Sequence, residues 1–430
     1  MTYIKFRKQL EPFAWNIVAS AATQGATLVT NFIIVRMTTV HLFGQYSAIQ
    51  ATLFALVAIS QLSAWFSATK FTAELIDSDP RSLEKILGLI SLTTMIAGGA
   101  ATAALVAVAK WYSTSALGDA GLESGTMTAA AYVFFTVTGS VQAGVLLGSG
   151  AIKAYARLSL ALTLPSILLP VAGAIAGGVT GALAGLSFAA TLRFFVTRHY
   201  AMRELRIRDI RVRYRGLSSQ IPVLWRFSLP ASANGLTNAS ASWLVTLFVL
   251  HAKGGLADVA LLGTVSTFKT FALFIPYQVN NVSIALINRS LGRDESRIAF
   301  RNNLAVLIGM SLATAVGLSL FAAPVLTLYS PSFLRGTSLL RLYLWGSVLE
   351  AASFALMQHF SAGRTLWRPF IFGALPRDIA FVAISLALLP RLQLQAVGTA
   401  YAVSWGACAC GYACLIAWDA GFQHLQAGHR

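Results

Sequence analysis

Apolar residues run along this chain in long blocks separated by short polar turns. A helix needs about 20 mostly apolar residues to cross a hydrocarbon core, and on that measure the pattern predicts twelve spans. The first half gives Phe13–Val35, Leu42–Phe66, Leu87–Ala109, Thr126–Leu147, Leu158–Ala176 and Val179–Thr197. The second gives Phe227–Leu250, Val259–Asn288, Asn302–Leu328, Leu342–Ser361, Phe370–Pro390 and Leu392–Trp418. The joins carry turn chemistry: Phe43-Gly44, Asp77-Ser78-Asp79-Pro80, Gly177-Gly178, Gly254-Gly255 and Pro390-Arg391. From Leu158 to Leu192 there is no charge at all, a stretch too long for one span with Gly177-Gly178 in its middle, so it predicts a tight helical hairpin. The expectation is an all-α integral membrane protein.

One stretch breaks the pattern. Arg198 to Arg226 holds eight arginines against two acids, Glu204 and Asp209. Each arginine costs about 2.5–3.5 kcal/mol at the centre of a bilayer, so this run belongs in water. Because membrane sequence flanks it, it reads as a cytosolic loop facing anionic lipid headgroups, not as a nucleic-acid patch. It divides the chain into an N-terminal six-helix lobe (1–197), a basic linker (198–226) and a C-terminal six-helix lobe (227–430). With the N-terminus inside, 23 lysines and arginines fall in inside segments and six in outside ones, while Arg193, Lys269 and Arg377 lie within spans. That bias predicts both termini in the cytoplasm of a multi-pass bacterial inner-membrane protein.

Composition agrees. The chain is 56% hydrophobic and 11% charged, against about 25% charged in soluble domains. The net charge of +17 arises in short loops. Lys5-Phe6-Arg7-Lys8 before an apolar run looks like a signal peptide, but Phe13–Val35 is too long for a signal core and is expected to stay as the first span. Cys408, Cys410 and Cys414 lie in one apolar span without histidine or acid beside them and read as packing residues, not a metal site. The six histidines are scattered, and neither HExxH nor a P-loop occurs, so no cofactor and no ATP-driven step is expected of this chain.

The halves echo each other. Gly148-Ser149-Gly150-Ala151-Ile152-Lys153 before span five answers Ser361-Ala362-Gly363-Arg364 before span eleven, and a proline follows in each, Pro165 and Pro376. Val179-Thr180-Gly181-Ala182 answers Ala396-Val397-Gly398-Thr399, an offset of 217 residues. Six spans per half is even, so both halves enter from the same side, a parallel repeat of the kind that usually encloses a site between two rocking lobes.

With six plus six spans, a basic central stretch and no soluble domain, the sequence resembles the multidrug/oligosaccharidyl-lipid/polysaccharide exporter superfamily. Val40-His41-Leu42-Phe43-Gly44-Gln45-Tyr46-Ser47 after span one looks like the branch of O-antigen flippase type. Asp258-Val259-Ala260-Leu261-Leu262-Gly263-Thr264-Val265 is a degraded second copy, lacking the tyrosine, and Ile275-Pro276-Tyr277 adds to the similarity. The resemblance is one of pattern over nearly the whole chain, without a diagnostic short motif. It implies flipping of an undecaprenyl-diphosphate-linked oligosaccharide for surface polysaccharide synthesis, by alternating access coupled to a cation gradient. Polysaccharide polymerase machinery is then an implied partner.

Ionisable residues within spans are functional candidates by default. Lys269 lies about eleven residues into its span, too deep to snorkel easily, and is expected either to line a polar cavity or to pair with Glu350 or Asp378. Glu350 is the one acid of its span, a carrier for a coupling proton or the partner of a neighbouring cation; Asp378 is the other ion-coupling candidate. Arg377 and Asp378 are adjacent on a helix and are expected to have separate partners. Arg193 lies about one turn from the basic stretch and could snorkel, and Arg36 ends span one as an interface anchor. Asn234 and Asn238 share a face of span seven and, with Gln24 and Asn31 of span one, are read as either sugar-binding groups or interhelical hydrogen-bonding groups. Three readings compete. A flippase needs cations for a diphosphate headgroup. An efflux antiporter for cationic drugs, from the same superfamily, favours acids. A polysaccharide polymerase or ligase usually needs a large outer loop, whereas the longest outside segment, Lys110 to Gly125, has 16 residues.

Overall fold

A computed structural model describes residues 2–287, 293–361 and 367–427. Every regular element among them is helical. In order these are α1 (Thr2–Met37), α2 (Val40–Ser60), α3 (Ala64–Leu75), α4 (Pro80–Trp111), α5 (Glu123–Gly148), α6 (Ile152–Ile207) and α7 (Ile221–Leu250). Then follow α8 (Gly255–Ile287), α9 (Arg293–Leu320), α10 (Ala322–Tyr329), α11 (Thr337–Ser361), α12 (Trp367–Pro369), α13 (Leu375–Leu392) and α14 (Gln395–Ala427). Among the described residues, ten segments are long and apolar enough to cross a membrane, one of them the 56-residue α6. The chain folds into two compact units, Met1–Ala239 and Ser240–Arg430, with α7 running through the boundary.

The hairpin within α6 forms at the predicted place. Gly177 and Gly178 leave helical geometry, Gly178 at φ +58° and ψ −138°, a region where a side chain would be strained. The arms, 152–176 and 179–207, then pack so closely that a Cβ on Gly173 would overlap the Gly181 carbonyl, and the reverse also holds. Small residues at helix contacts matter here because lipid tails are as apolar as leucine, so tight packing, not hydrophobicity, holds such helices together. Counting two crossings for α6 and one for α7 gives twelve spans.

Several spans differ from their expected form. Span two is not one helix: α2 ends at Ser60, and α3 restarts at Ala64 after Leu62 and Ser63 take positive φ of 45° and 54°. Hydropathy reads straight through this break because three residues, Gln61-Leu62-Ser63, are too few to interrupt an apolar window of about 20. Span nine breaks at Phe321, where Pro324 in the first turn of α10 has no N–H to continue the ladder. Span eleven opens with a π-helical turn over Phe370–Ala374 before α13 begins. The Asp79-Pro80 join works as expected: Asp79 accepts from the Ser82 amide at 3.1 Å and Pro80 opens α4. That hydrogen bonding holds the Asp79 carboxyl below the usual carboxylate range.

The basic linker is shorter and more ordered than a free loop from 198 to 226. Its first part continues α6 to Ile207, and α7 already begins at Ile221. The extended piece between them is fastened to α4. Buried Glu84 accepts from the Arg211 amide at 2.8 Å and pairs with Arg213 Nε at 2.6 Å, while the Arg213 amide donates to the Glu84 carbonyl at 3.1 Å. Gly88, one turn on, leaves room for the Arg213 carbonyl, which any Cβ would overlap. Beneath lies the core of the N-terminal unit: Leu83, Leu87 and Ile90 of α4, Val141 and Leu146 of α5, Phe71 of α3, and Ala201 and Leu205 of α6. In the C-terminal unit, α11 packs on α8, α9 and α14, and α13 packs on α14.

Candidate functional site

Each unit holds its own polar feature. In the N-terminal unit, α1, α2, α3, α5 and both arms of α6 line a cavity of about 350 Å³. Its wall combines hydroxyls and amides (Thr27, Thr30, Asn31, Gln50) with aromatic rings (Tyr46, Trp65, Tyr132, Phe194). The threonines and Asn31 share one face of α1 through i, i+3 and i+4 spacing. Arg193 is the single arginine or lysine on this wall, and no carboxylate lines it. The Oγ1 of Thr30 is buried without a hydrogen-bond partner among the described residues. Such a surface can bind an uncharged polar or an anionic group. It offers nothing to neutralise a cation, save the faces of its rings.

The C-terminal unit carries a buried charged centre instead. Glu350 of α11 is 6% exposed. It accepts from the hydroxyls of Tyr277 on α8 and Tyr401 on α14, one on each carboxylate oxygen. Lys269 of α8 lies 3.8 Å from Glu350 Oε2 and 5.2 Å from the Tyr401 ring centroid. Packed rings continue the centre: Tyr343 stacks on Tyr401 at 4.5 Å, and Trp405 follows Tyr401 along α14. Arg377 lies 4.2 Å from the centroid of the Trp405 ring and pairs with Asp378 through Nε and Nη2 at 2.8 and 2.9 Å.

That last pair corrects the expectation of separate partners. Neighbouring Cβ atoms diverge by about 100° round a helix, but the arginine stem is long enough to bring its fork back onto the adjacent carboxylate. With both residues buried at 3% and 4% exposure, each is the nearest compensation for the other's charge.

The structure gathers the remaining candidates unevenly. Asn31 and Arg193 meet on the cavity wall. For Arg193 this adds a lining role to the snorkelling expected of it. Lys269 and Glu350 pair, one of the alternatives the sequence left open. Arg36 is exposed at the end of α1, 5.6 Å from the Phe32 ring, and takes no part in the cavity. Asn234 and Asn238 are half-buried on α7 and do not line it either. Sequence reasoning missed Tyr277, Tyr401, Trp405 and the cavity rings. Their signal was faint: aromatic residues with a polar tip placed mid-span, where a hydroxyl must find a partner.

No protein-family model matches the sequence, and no curated protein matches it. Solved structures do match in fold. An inward-facing multidrug resistance MATE family transporter of the MOP superfamily superposes with a TM-score of 0.72 at 15% identity, over 91% of this chain and 93% of that one. A MATE structure in complex with MaL6 gives 0.71 at 15% identity, over 94% of each chain. A MOP superfamily transporter from Pyrococcus furiosus Vc1 (DSM3638), whose binding pocket of reverse polarity suggests a different function for it, gives 0.62 at 17% identity over 98% and 96%. The fold is therefore the one these transporters share, twelve spans in two six-helix lobes. Two of these three neighbours are MATE structures, whereas the sequence pointed to the O-antigen flippase branch.

Proposed function

We propose that this chain is a multi-pass transporter of the MOP type that exports a small molecule by alternating access, coupled to a cation at Glu350. The observation that carries the reading is the pairing of a cavity lined by polar groups and rings with a separate buried carboxylate in one chain. A wall of hydroxyls, amides and rings lining about 350 Å³ suits a compact solute. Glu350, held by two tyrosine hydroxyls, has Lys269 beside it as an internal cation. A coupling proton or metal cation competes with that ammonium for the same carboxylate, and a change of occupant alters the charge balance of α8, α11 and α14 together. The MATE neighbours support small-molecule export over transfer of a lipid-linked glycan.

One feature favours the second reading. The cavity lacks acids and presents Arg193, a polarity that suits a phosphate-bearing substrate better than a cationic drug. Flipping of an undecaprenyl-diphosphate-linked oligosaccharide is thus the runner-up.

Efflux of paired cationic, neutral and anionic dyes from cells lacking their own exporters distinguishes the two. The expected result is efflux of the neutral or anionic dye that stops when the cation gradient is collapsed and in Glu350→Gln. If well-expressed protein moves no dye, yet restores surface polysaccharide to a flippase-null strain, export of small molecules is refuted and the second reading stands.

A further inference from the structure

The second arm of α6 is longer than a bilayer core. Its 29 residues, 179–207, reach about 43 Å at 1.5 Å per residue, against about 30 Å of hydrocarbon. If the arm starts at one edge of the core, it leaves the other near Arg198 and crosses the headgroup layer over the next several residues. There the helix carries a groove of about 590 Å³ lined by Phe195, Arg198, His199, Met202, Arg203 and Arg206, closed by Ile207.

The composition of this groove is unusual for a solvated helix end. Arg198, Arg203 and Arg206 are exposed, and so are Phe195 at 57% and Ile207 at 69%. Water alone explains the arginines but not the apolar residues between them. Arg198, Met202 and Arg206 share one face at i, i+4 and i+8. The nearest acid, Glu204, projects about 200° round from Met202 and does not line the groove. Two other linker arginines have protein partners: Arg213 holds Glu84, and Arg208 donates to the Ser149 carbonyl at 3.2 Å.

We propose that this groove is a binding site for an anionic phospholipid, the arginines gripping the headgroup phosphate and Phe195 and Met202 lying along the glycerol and first acyl carbons. Charge complementarity and depth together choose this occupant. Three cations without a facing acid need an anion, and apolar side chains at the height of the headgroups need one that carries its own hydrocarbon. Zwitterionic lipid satisfies the second need but not the first, and free phosphate the first but not the second.

The test uses the full chain in detergent and native mass spectrometry, with phosphatidylglycerol and phosphatidylcholine of identical acyl chains. The wild-type protein is expected to bind phosphatidylglycerol more tightly. One basic residue near a membrane surface contributes about 1 kcal/mol, roughly fivefold, so Arg198→Gln, Arg203→Gln and Arg206→Gln together should weaken phosphatidylglycerol binding on the order of 100-fold and leave phosphatidylcholine unchanged. A charge-matched control, Lys253→Gln with Arg341→Gln and Arg391→Gln, should keep the preference. Should the triple variant fail to fold, the single exposed Arg203→Gln carries the test with its roughly fivefold loss. The proposal is overturned if the folded variants keep the wild-type preference, or if inorganic phosphate competes as well as the lipid, which would make this a simple anion site.

Discussion

At the scale of single residues, the decisive feature is how this chain compensates charge inside a membrane fold. Glu350 receives two hydroxyls and one ammonium, and Arg377 receives Asp378 and the face of Trp405. Removing one partner of a buried pair is more damaging than removing both, because the survivor keeps its desolvation penalty. Lys269→Ala is therefore expected to destabilise the protein, toward the lower end of about 3–5 kcal/mol because the lysine side chain retains 23% exposure. Lys269→Ala with Glu350→Gln should recover most of that loss, as read by thermal denaturation in detergent. Equal stability of the single and double variants would mean that the tyrosines alone satisfy Glu350. The candidates themselves were legible, since an ionisable residue amid apolar sequence announces itself. Their partners were not. Tyr277 and Tyr401 are 73 and 51 residues from Glu350 in sequence, and a lone mid-span tyrosine carries no sign of which carboxylate it will meet. Arg377 and Asp378 failed the other way: a rule about backbone direction was applied to a side chain long enough to escape it.

At the scale of elements, hydropathy located the spans, and glycine pairs located the hairpin, because both act through composition over a window. Breaks that depend on one or two dihedrals escaped. The interruption between α2 and α3 is the clearest case. Leu62 and Ser63 adopt left-handed geometry without being glycine, which costs roughly 1–2 kcal/mol per residue. The break adjoins the cavity, since Gln61 and Trp65 both line it. Leu62 is 36% exposed, so its side chain contributes modestly to packing, and Leu62→Gly should relieve strain at little other loss. Its expected effect is a gain of about 0.5–1 kcal/mol, the difference between the left-handed penalty and the entropy of an added glycine. A raised melting temperature would bear this out; a fall would show that surrounding contacts, not local strain, set the energy there.

At the scale of the whole molecule, the linker lies between two lobes in the sequence yet belongs structurally to the first unit. The sequence marked it by charge and read it as a solvated loop. What charge cannot show is that one acid on a distant helix, Glu84, has been kept in reserve for it, 127 residues before Arg211. The docking depends on three backbone or side-chain contacts to Glu84 and on the missing side chain at Gly88. Arg213 is well exposed, 61% by side chain, so its ion pair alone is weak in water. The amide bond to buried Glu84 and the close approach at Gly88 therefore supply most of the hold. This ordering gives a graded prediction for trypsin, which cuts after arginine and needs locally unfolded chain. In the wild-type protein, cleavage at Arg211, Arg213 and Arg215 should be slow despite their exposure. Arg213→Gln, which leaves the backbone bonds in place, should change the rate at the other two sites little. Glu84→Gln should raise it severalfold, and Gly88→Val most of all, because the displaced Arg213 carbonyl takes the whole segment with it. The same digest reports sidedness: the positive-inside bias requires these cuts in inverted membrane vesicles and not in intact spheroplasts. Cleavage from the outer face would reverse the orientation assigned to every loop, and fast cleavage of the wild-type protein would show that the linker is not held against α4 in solution.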